Sequence, residues 1–273
     1  MTLEAGSETA ADALARLYDL DLADDPGDLG LYEALAARTG GPIVELGVGS
    51  GRIAVPLAAL GHDVVGIDRD SAMLTRARAR AEREGPATAS RLALVEADML
   101  GPLDTDPPRR GAFRLAILAL NSILLLAGRD EQRRVIRVMA ELLGPGGIAV
   151  VDAWQPDVRE LVQFDGRLTL EWLRRDPDGG RDVAKLMAAW YDGTARVVTL
   201  TTLFDEAAPG QPPRRWTRSD ALRMASADDL RSYAEDAGLE IEQLAGDYDL
   251  TPLGPASERV VLVARRPGQA GPS

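Results

Sequence analysis

Three glycines at alternate positions, Gly47, Gly49 and Gly51, lie between an apolar stretch and a helical one, and chemistry can begin in that arrangement. Lacking Cβ atoms, they let the main chain turn sharply and bring N–H groups close to a ligand at the positive end of the next helix. Pro42-Ile43-Val44 before them and residues 53–57 after them give strand, loop and helix, the context a nucleotide cradle requires. Three carboxylates, Glu45, Asp68 and Asp98, fall where successive strands end. In an open parallel sheet the ligand lies across those ends, so all three are placed to face one adenosine. Asp68, 21 residues past Gly47, is near the spacing at which a carboxylate accepts from ribose hydroxyls, and Asp98 is placed to accept from an adenine amino group.

Those residues need a scaffold of alternating strands and helices. Residues 42–46, 64–67, 92–95, 115–120 and 148–151 read as strands, the fourth a continuous apolar run, as expected of a parallel strand covered on both faces. Helices are expected at 53–60, from Asp70 or Ser71 onward, and at 130–143, the last opened by an acidic cap and closed by Gly144-Pro145-Gly146-Gly147. Right-handed crossovers then give an α/β, Rossmann-like, doubly wound sheet. Beyond Trp154 the pattern alternates at 167–173, 184–190 and 196–204 between Gly-containing turns, which predicts a small antiparallel β insertion. Residues 214–224 return toward the core, Ser226 opens a helix at 230–237, and strands at 239–244 and 260–264 bring the sheet to seven, the last antiparallel. The expected division is an N-terminal helical cover (1–40), the core (41–154), the insertion (155–218), the C-terminal completion of the core (219–266) and a tail (267–273). Arg76, Arg78, Arg80 and Arg83 read as a solvated helix face.

With 43 acidic against 31 basic residues in 273, the net charge is −12 and the pI about 4.7, so neither nucleic acid nor an anionic membrane is expected as a partner. There is no cysteine, which removes disulfides, thiolate nucleophiles and Cys-ligated metals. The longest apolar run, 115–127, is too short for a bilayer and is interrupted by Asn121 and Ser122; with no signal-like segment at its start, the chain is expected to be cytoplasmic. The sole histidine, His62, precedes the second strand and so lies away from the cradle, which removes it as a catalytic base. Strand four ends in Asn121 rather than in an Asp pair, so no metal site is expected.

Position 52, where the dinucleotide fingerprint G-x-G-x-x-G has its third glycine, is Arg. Instead, Glu45-Leu46-Gly47-Val48-Gly49-Ser50-Gly51, Val65-Gly66-Ile67-Asp68, Glu96-Ala97-Asp98-Met99 and Leu143-Gly144-Pro145-Gly146-Gly147 resemble the successive motifs of the class I S-adenosylmethionine-dependent methyltransferases, over about 18–264. A closer resemblance is to the bacterial small-molecule branch that includes the amino-sugar N-methyltransferases. These often carry Tyr-Asp near the N-terminus, as in Tyr18-Asp19, and Gly-Asp-Tyr/Phe-Asp near the end, as in Gly246-Asp247-Tyr248-Asp249. Many have Asn-Ser-x-x-His-Leu after strand four; here Leu125 replaces the histidine, which makes a pocket lined there more apolar. The Asn/Asp-Pro-Pro-aromatic sequence of the amino-methylating nucleic-acid enzymes is absent at that place.

The resemblance implies S-adenosylmethionine as cofactor, held by Tyr18, Glu45, Gly47, Val48, Gly49, Gly51, Asp68, Arg69, Met73, Ala97, Asp98, Met99 and Leu120, and methyl transfer to a small-molecule acceptor. Asn121, Asp152 and Trp154, at the ends of strands four and five, are expected on the acceptor side, with Tyr18, Trp190 and Tyr191 closing the pocket. Asn121, Tyr18, Trp154 and Tyr191 are the candidates for a catalytic role. Nitrogen is slightly preferred to oxygen, because no general base is evident and a neutral amine needs little help. The alternative is a fold that keeps the cofactor for another reaction, such as a cyclisation, or only binds a ligand. The insertion is expected over the carboxyl ends of the sheet, with the contact face of a homodimer as its other reading.

Overall fold

A computed structural model of the chain describes residues 8–24, 26–101, 103, 110–208 and 210–268. The first seven residues of the expected cover, most of the 101–110 loop, Pro209 and the last five residues of the expected tail lie outside them. The cover consists of α1 (Ala10–Asp21), started by the Thr9 hydroxyl accepting from the Asp12 N–H at 3.1 Å, and α2 (Leu29–Thr39), which buries Leu31, Tyr32 and Leu35. The core alternates β1 (Ile43–Leu46), α3 (Ala54–Ala59), β2 (Val64–Asp68), α4 (Ser71–Glu84), α5 (Pro86–Ala89), β3 (Leu92–Glu96) and β4 (Phe113–Leu118). A 3-10 turn (Ser122–Leu125), α6 (Arg129–Leu142) and β5 (Leu143–Trp154) follow. Next come α7 (Val158–Leu161), β6 (Asp165–Arg175), β7 (Asp182–Asp192), β8 (Val197–Ala207) and β9 (Arg214–Arg223). The chain closes with α8 (Ala227–Asp236), β10 (Glu240–Ala245) and β11 (Arg259–Arg265).

The main sheet runs β3-β2-β1-β4-β5-β11-β10, with the pairs among β1 to β5 parallel and β11 antiparallel to both of its neighbours. Its two faces carry separate apolar clusters. One packs Leu46, Leu118 and Val151 against α6 and α8; the other packs Ile43, Leu115 and Val263 against α2 and α3. Local signals agree with these elements. Asp70 caps α4 by accepting from the Ala72 N–H at 2.9 Å, and Ser226 and Asp229 cap α8 reciprocally, which satisfies N–H groups the first turn leaves free. Two expectations need correction. Helix α6 has no acidic cap: Gly128 precedes it, and Asp130 and Glu131 sit inside its first turn, where carboxylates offset the positive helix end. The second concerns residues 214–224, which return as a full fourth strand, β9, paired with β8 over its whole length and extending past the expected limit at 218.

That second sheet, β6-β7-β8-β9, is antiparallel throughout. Its inner face is apolar at both ends. Val183, Phe204 and Trp216 meet Ala13, Leu17 and Leu20 of α1, while Ala189, Val198 and Leu222 join the main core. Charges reinforce the first contact. Buried Arg16 of α1 bonds Asp176 at 2.5 Å and Glu206 at 2.9 Å, and Asp21 receives Lys185 at 2.7 Å and the Trp172 indole N–H at 2.9 Å. On its other side α1 meets α4, because Asp19 accepts from Arg76, from Arg80 at 3.1 Å and from the Ser50 hydroxyl. Two of the four arginines expected to form a solvated face therefore hold the cover down.

Candidate cofactor and acceptor site

The loop after β1 folds onto the end of β2. The N–H groups of Gly47 and Val48 both donate to the Ile67 carbonyl, at 2.8 and 3.0 Å, and the Gly49 N–H donates to Asp68 Oδ2 at 2.8 Å. Such a path needs positive φ at all three glycines, +70°, +53° and +77°. Their surroundings differ. A Cβ on Gly51 would meet Val55 at 2.9 Å and Ala77 at 3.1 Å, whereas one on Gly49 would meet nothing within 4 Å, so the cradle opens at Gly49 and is packed shut at Gly51. Gly66 on β2 belongs to the same construction: a Cβ there would reach Val48 at 2.7 Å. Sequence reasoning placed Gly66 in a motif without seeing that close approach.

Asp68 Oδ1 also accepts from the Asp70 N–H at 2.9 Å, so this carboxylate stitches loop, strand and helix together while each oxygen keeps a lone pair outward. Arg69 is exposed beside it and Met73 is half-buried in the first turn of α4. Ala97 donates its N–H to the Asp68 carbonyl at 2.9 Å, and exposed Asp98 closes a turn by accepting from the Leu100 N–H at 2.8 Å. Met99 is half-buried next to it. Asp68, Ala97, Asp98 and Met99 thus form one rim of the cradle.

On the opposite side a narrow cleft, with a cavity volume of only about 20 Å³, is lined by Tyr18, Glu45, Val48, Arg52, Leu120 and Ser122, among others. Glu45 is buried and its Oε2 has no hydrogen-bond partner; burial pushes its carboxyl up to about 8, although Arg52 draws it down. Arg52 is itself fixed by two bonds to buried Asp28, at 2.5 and 2.6 Å. Burial also raises the Tyr18 hydroxyl to about 12, which keeps it neutral at ordinary pH and unsuited to take a proton.

The end of β4 is held in an uncommon shape. Leu120 and Asn121 are consecutive residues with positive φ, +48° and +65°, a conformation that costs a side-chain-bearing residue energy unless neighbours fix it. Here they do: the Leu120 N–H donates to Asp152 Oδ1 at 2.7 Å, and Asn121 Oδ1 accepts from the Trp154 N–H at 2.7 Å. Asp152, expected on the acceptor side, is fully buried behind it. Its carboxylate accepts from Tyr32 at 2.7 Å, Tyr248 at 3.1 Å and Arg259 at 2.5 Å, so it is a hub of the fold with no open face. Trp154 packs at a tilt on Phe164, ring centres 5.8 Å apart, and Tyr191 is half-buried against the core. Trp190 does not close a pocket: consecutive strand residues point to opposite faces, and its side chain stands 57% exposed on the outside of the second sheet. His62 lies at the other end of β2, beside Gly41.

An open α/β sheet with a glycine cradle at the end of its first strand, a carboxylate at the end of its second and an antiparallel strand next to its edge defines the S-adenosylmethionine-binding class. Residues 43–147 match the methyltransferase domain family model. This domain match supports a class I S-adenosylmethionine-dependent methyltransferase, whose cofactor the open cradle and the unpartnered Glu45 oxygen fit. It is similar to the CcbJ methyltransferase of Streptomyces caelestis, with a TM-score of 0.72 and 27% identity over 89% of this chain and 97% of that one. Similar too is the sugar N-methyltransferase KedS8 of Streptoalloteichus, with a TM-score of 0.68, 25% identity and 92% of each chain covered. Among curated proteins, a dTDP-4-amino-2,3,4,6-tetradeoxy-D-glucose N,N-dimethyltransferase of Saccharopolyspora spinosa is 32% identical over 118 residues, 43% of each protein, so the match spans under half of that relative. Ribosomal RNA methyltransferases are also among the relatives. Among the described residues no helix is long and apolar enough to cross a membrane, and no group of three or more His, Cys, Asp or Glu is arranged to hold a metal ion.

Proposed function

We propose that the protein methylates a nitrogen of a small-molecule acceptor. When bound, S-adenosylmethionine supplies a methyl group activated on sulfonium sulfur. The chain's own part is to hold and align: Asp68 and Asp98 receive the adenosine, Gly49 leaves the loop open toward it, and Glu45 and Tyr18 line the cleft for its amino-acid end. The observation that carries nitrogen over oxygen is the state of the cleft's titratable groups. Tyr18 is held neutral and His62 is at the far end of the sheet, so an acceptor that needs no deprotonation by either suits the site best. The sugar-amine methylation in the names of two relatives supports the same reading. No observation favours the alternative of a retained cofactor with another chemistry.

Calorimetry with S-adenosylhomocysteine on the wild type and Asp68→Ala tests the cofactor half. Loss of a charged hydrogen-bond acceptor is expected to cost about 1.5–3 kcal/mol, roughly ten- to a hundredfold in affinity. Equal binding, or none by either protein, would sink it. Labelled methyl donor offered with a panel of amines, phenols and amino sugars tests the rest, and label found only on oxygen would end the nitrogen reading.

A further inference from the structure

The inner face of the second sheet is sealed at its two ends and open between them. Trp216 and Phe204 are buried against α1 at one end, and Leu222 and Val198 are buried in the main core at the other. Strand alternation and register place Arg218 and Asp220 of β9 on that same face, midway, opposite Thr202 and Leu200 of β8. All four are only half-buried. Arg218 donates through Nε to Asp220 Oδ2 at 2.7 Å, with side chains 33% and 22% exposed, and its charge acts on the Tyr18 hydroxyl in the cleft. Strand β9 also packs on the 3-10 turn that follows β4. A half-exposed charged pair thus sits midway along this face, between the roof helix and the strand-four turn.

We infer that Arg218 and Asp220 form the acceptor-recognition pair, with Asp220 accepting a hydrogen bond from an amine or hydroxyl of an acceptor that carries no phosphate. This rests on the methyl-transfer reading and narrows its substrate class. The charge arrangement excludes a nucleotide-linked acceptor for a positive reason. Five of the basic groups on this side are already engaged: Arg52 by Asp28, Arg76 and Arg80 by Asp19, Lys185 by Asp21 and Arg218 by Asp220. A diphosphate approaching Arg218 would stand beside the Asp220 carboxylate, a like charge at hydrogen-bond distance from the same guanidinium. A neutral or cationic acceptor meets no such repulsion, and its donor group finds Asp220 already oriented by Arg218.

The test uses thymidine diphosphate as probe on the full chain loaded with S-adenosylhomocysteine. Calorimetry is run on the wild type, Asp220→Asn and Arg218→Gln. The wild type is expected to show no saturable binding below about millimolar concentration, Asp220→Asn to gain at least about tenfold by freeing Arg218, and Arg218→Gln to gain nothing. In turnover with labelled donor, free amino sugars and other amines should be methylated and thymidine-diphosphate amino sugars should not. Asp220→Asn should raise KM for the accepted amine at least about tenfold, with kcat and S-adenosylhomocysteine affinity within about threefold of wild type. Micromolar binding of thymidine diphosphate by the wild type overturns the inference, and that titration needs no variant to fold. An Asp220→Asn protein that neither gains the diphosphate nor loses the amine overturns it as well. Failure of S-adenosylhomocysteine to bind the wild type instead overturns the underlying reading and is seen separately in the same titrations.

Discussion

Alanine at Gly49 and at Gly51 should separate ligand binding from folding. Both positions have positive φ, +53° and +77°, so a Cβ at either costs about 1–2 kcal/mol in backbone energy. At Gly49 nothing more is added, since no atom lies within 4 Å of the new Cβ. At Gly51 the methyl would be 2.9 Å from Val55 and 3.1 Å from Ala77, on two helices that cannot both retreat. Overpacking of that kind adds about 1–3 kcal/mol, which brings Gly51→Ala to roughly 2–5 kcal/mol and leaves Gly49→Ala at about 1–2. Urea unfolding followed by tryptophan fluorescence measures stability, and calorimetry with S-adenosylhomocysteine measures affinity. Gly49→Ala is expected to stay well folded and to bind at least about tenfold more weakly, because its methyl stands on the open side of the cradle. Gly51→Ala should lose stability first, with affinity falling only as the folded fraction falls. Equal destabilisation by the two substitutions, or wild-type affinity in Gly49→Ala, would refute the assignment of the open side.

Three further outcomes are expected. Glu45 has a folded-state pKa of about 8, above its ordinary 4.5, so the stability it contributes is complete below the lower value and lost as pH rises through the higher. Glu45→Gln should therefore match the wild type in urea near pH 5 and exceed it above about pH 8 by on the order of a few kcal/mol; parallel stability curves across that window would contradict this. Asp152→Ala removes the partner of Arg259, itself 21% exposed, and strands two tyrosine hydroxyls and the Leu120 N–H, so it should cost about 3 kcal/mol in urea unfolding, and a loss below about 1 would deny it the role of hub. The outer face of the second sheet exposes Leu168, Leu170, Leu173 and Trp190 by 48%, 57%, 72% and 57%, while its rim charges pair locally as Arg175–Asp182 and Arg215–Asp205. Four strands of this length present roughly 700 Å², close to the ~800 Å² per partner of a stable interface, so a second copy should pack here; Leu170→Glu with Leu173→Glu should halve the mass seen by light scattering, and an unchanged mass would remove the homodimer.

The main sheet was legible because most of its strands announce themselves locally as apolar runs, β1 and β2 with a glycine or a carboxylate at the carboxyl end. The cradle was legible for the same reason, since Gly47, Gly49, Gly51 and Asp68 lie within one strand–loop–helix–strand unit. What escaped depends on residues far apart in sequence. Asp152 looks like any strand-end acid until Tyr32, Tyr248 and Arg259, each about a hundred residues away, converge on it. Trp190 and Tyr191 were placed together because they are neighbours in the chain, yet a strand sends neighbours to opposite faces. Residues 214–224 concealed a strand because four of them are arginines, which suggests solvent; in the fold Arg214 lies 3.8 Å from the ring of Trp216 and Arg218 pairs along the strand. Arg52 was noticed only as a departure from a glycine pattern, and its buried bond to Asp28 has no local signature.

Helix α1 is fastened on both flanks: Arg16 and Asp21 to the second sheet, Asp19 to α4 and to Ser50 in the cradle loop. It also carries Tyr18, so in the proposed site the roof over the cofactor cleft and one wall of the acceptor pocket would be the same twelve-residue rod. Two ligands that press on one rod cannot be thermodynamically independent. Whatever factor the cofactor applies to acceptor affinity by settling α1, the acceptor must return to cofactor affinity, with the same sign and size. Measured affinities for either ligand are then properties of the pair, and the spent cofactor should hold, or release, the methylated product by the tension that helix transmits.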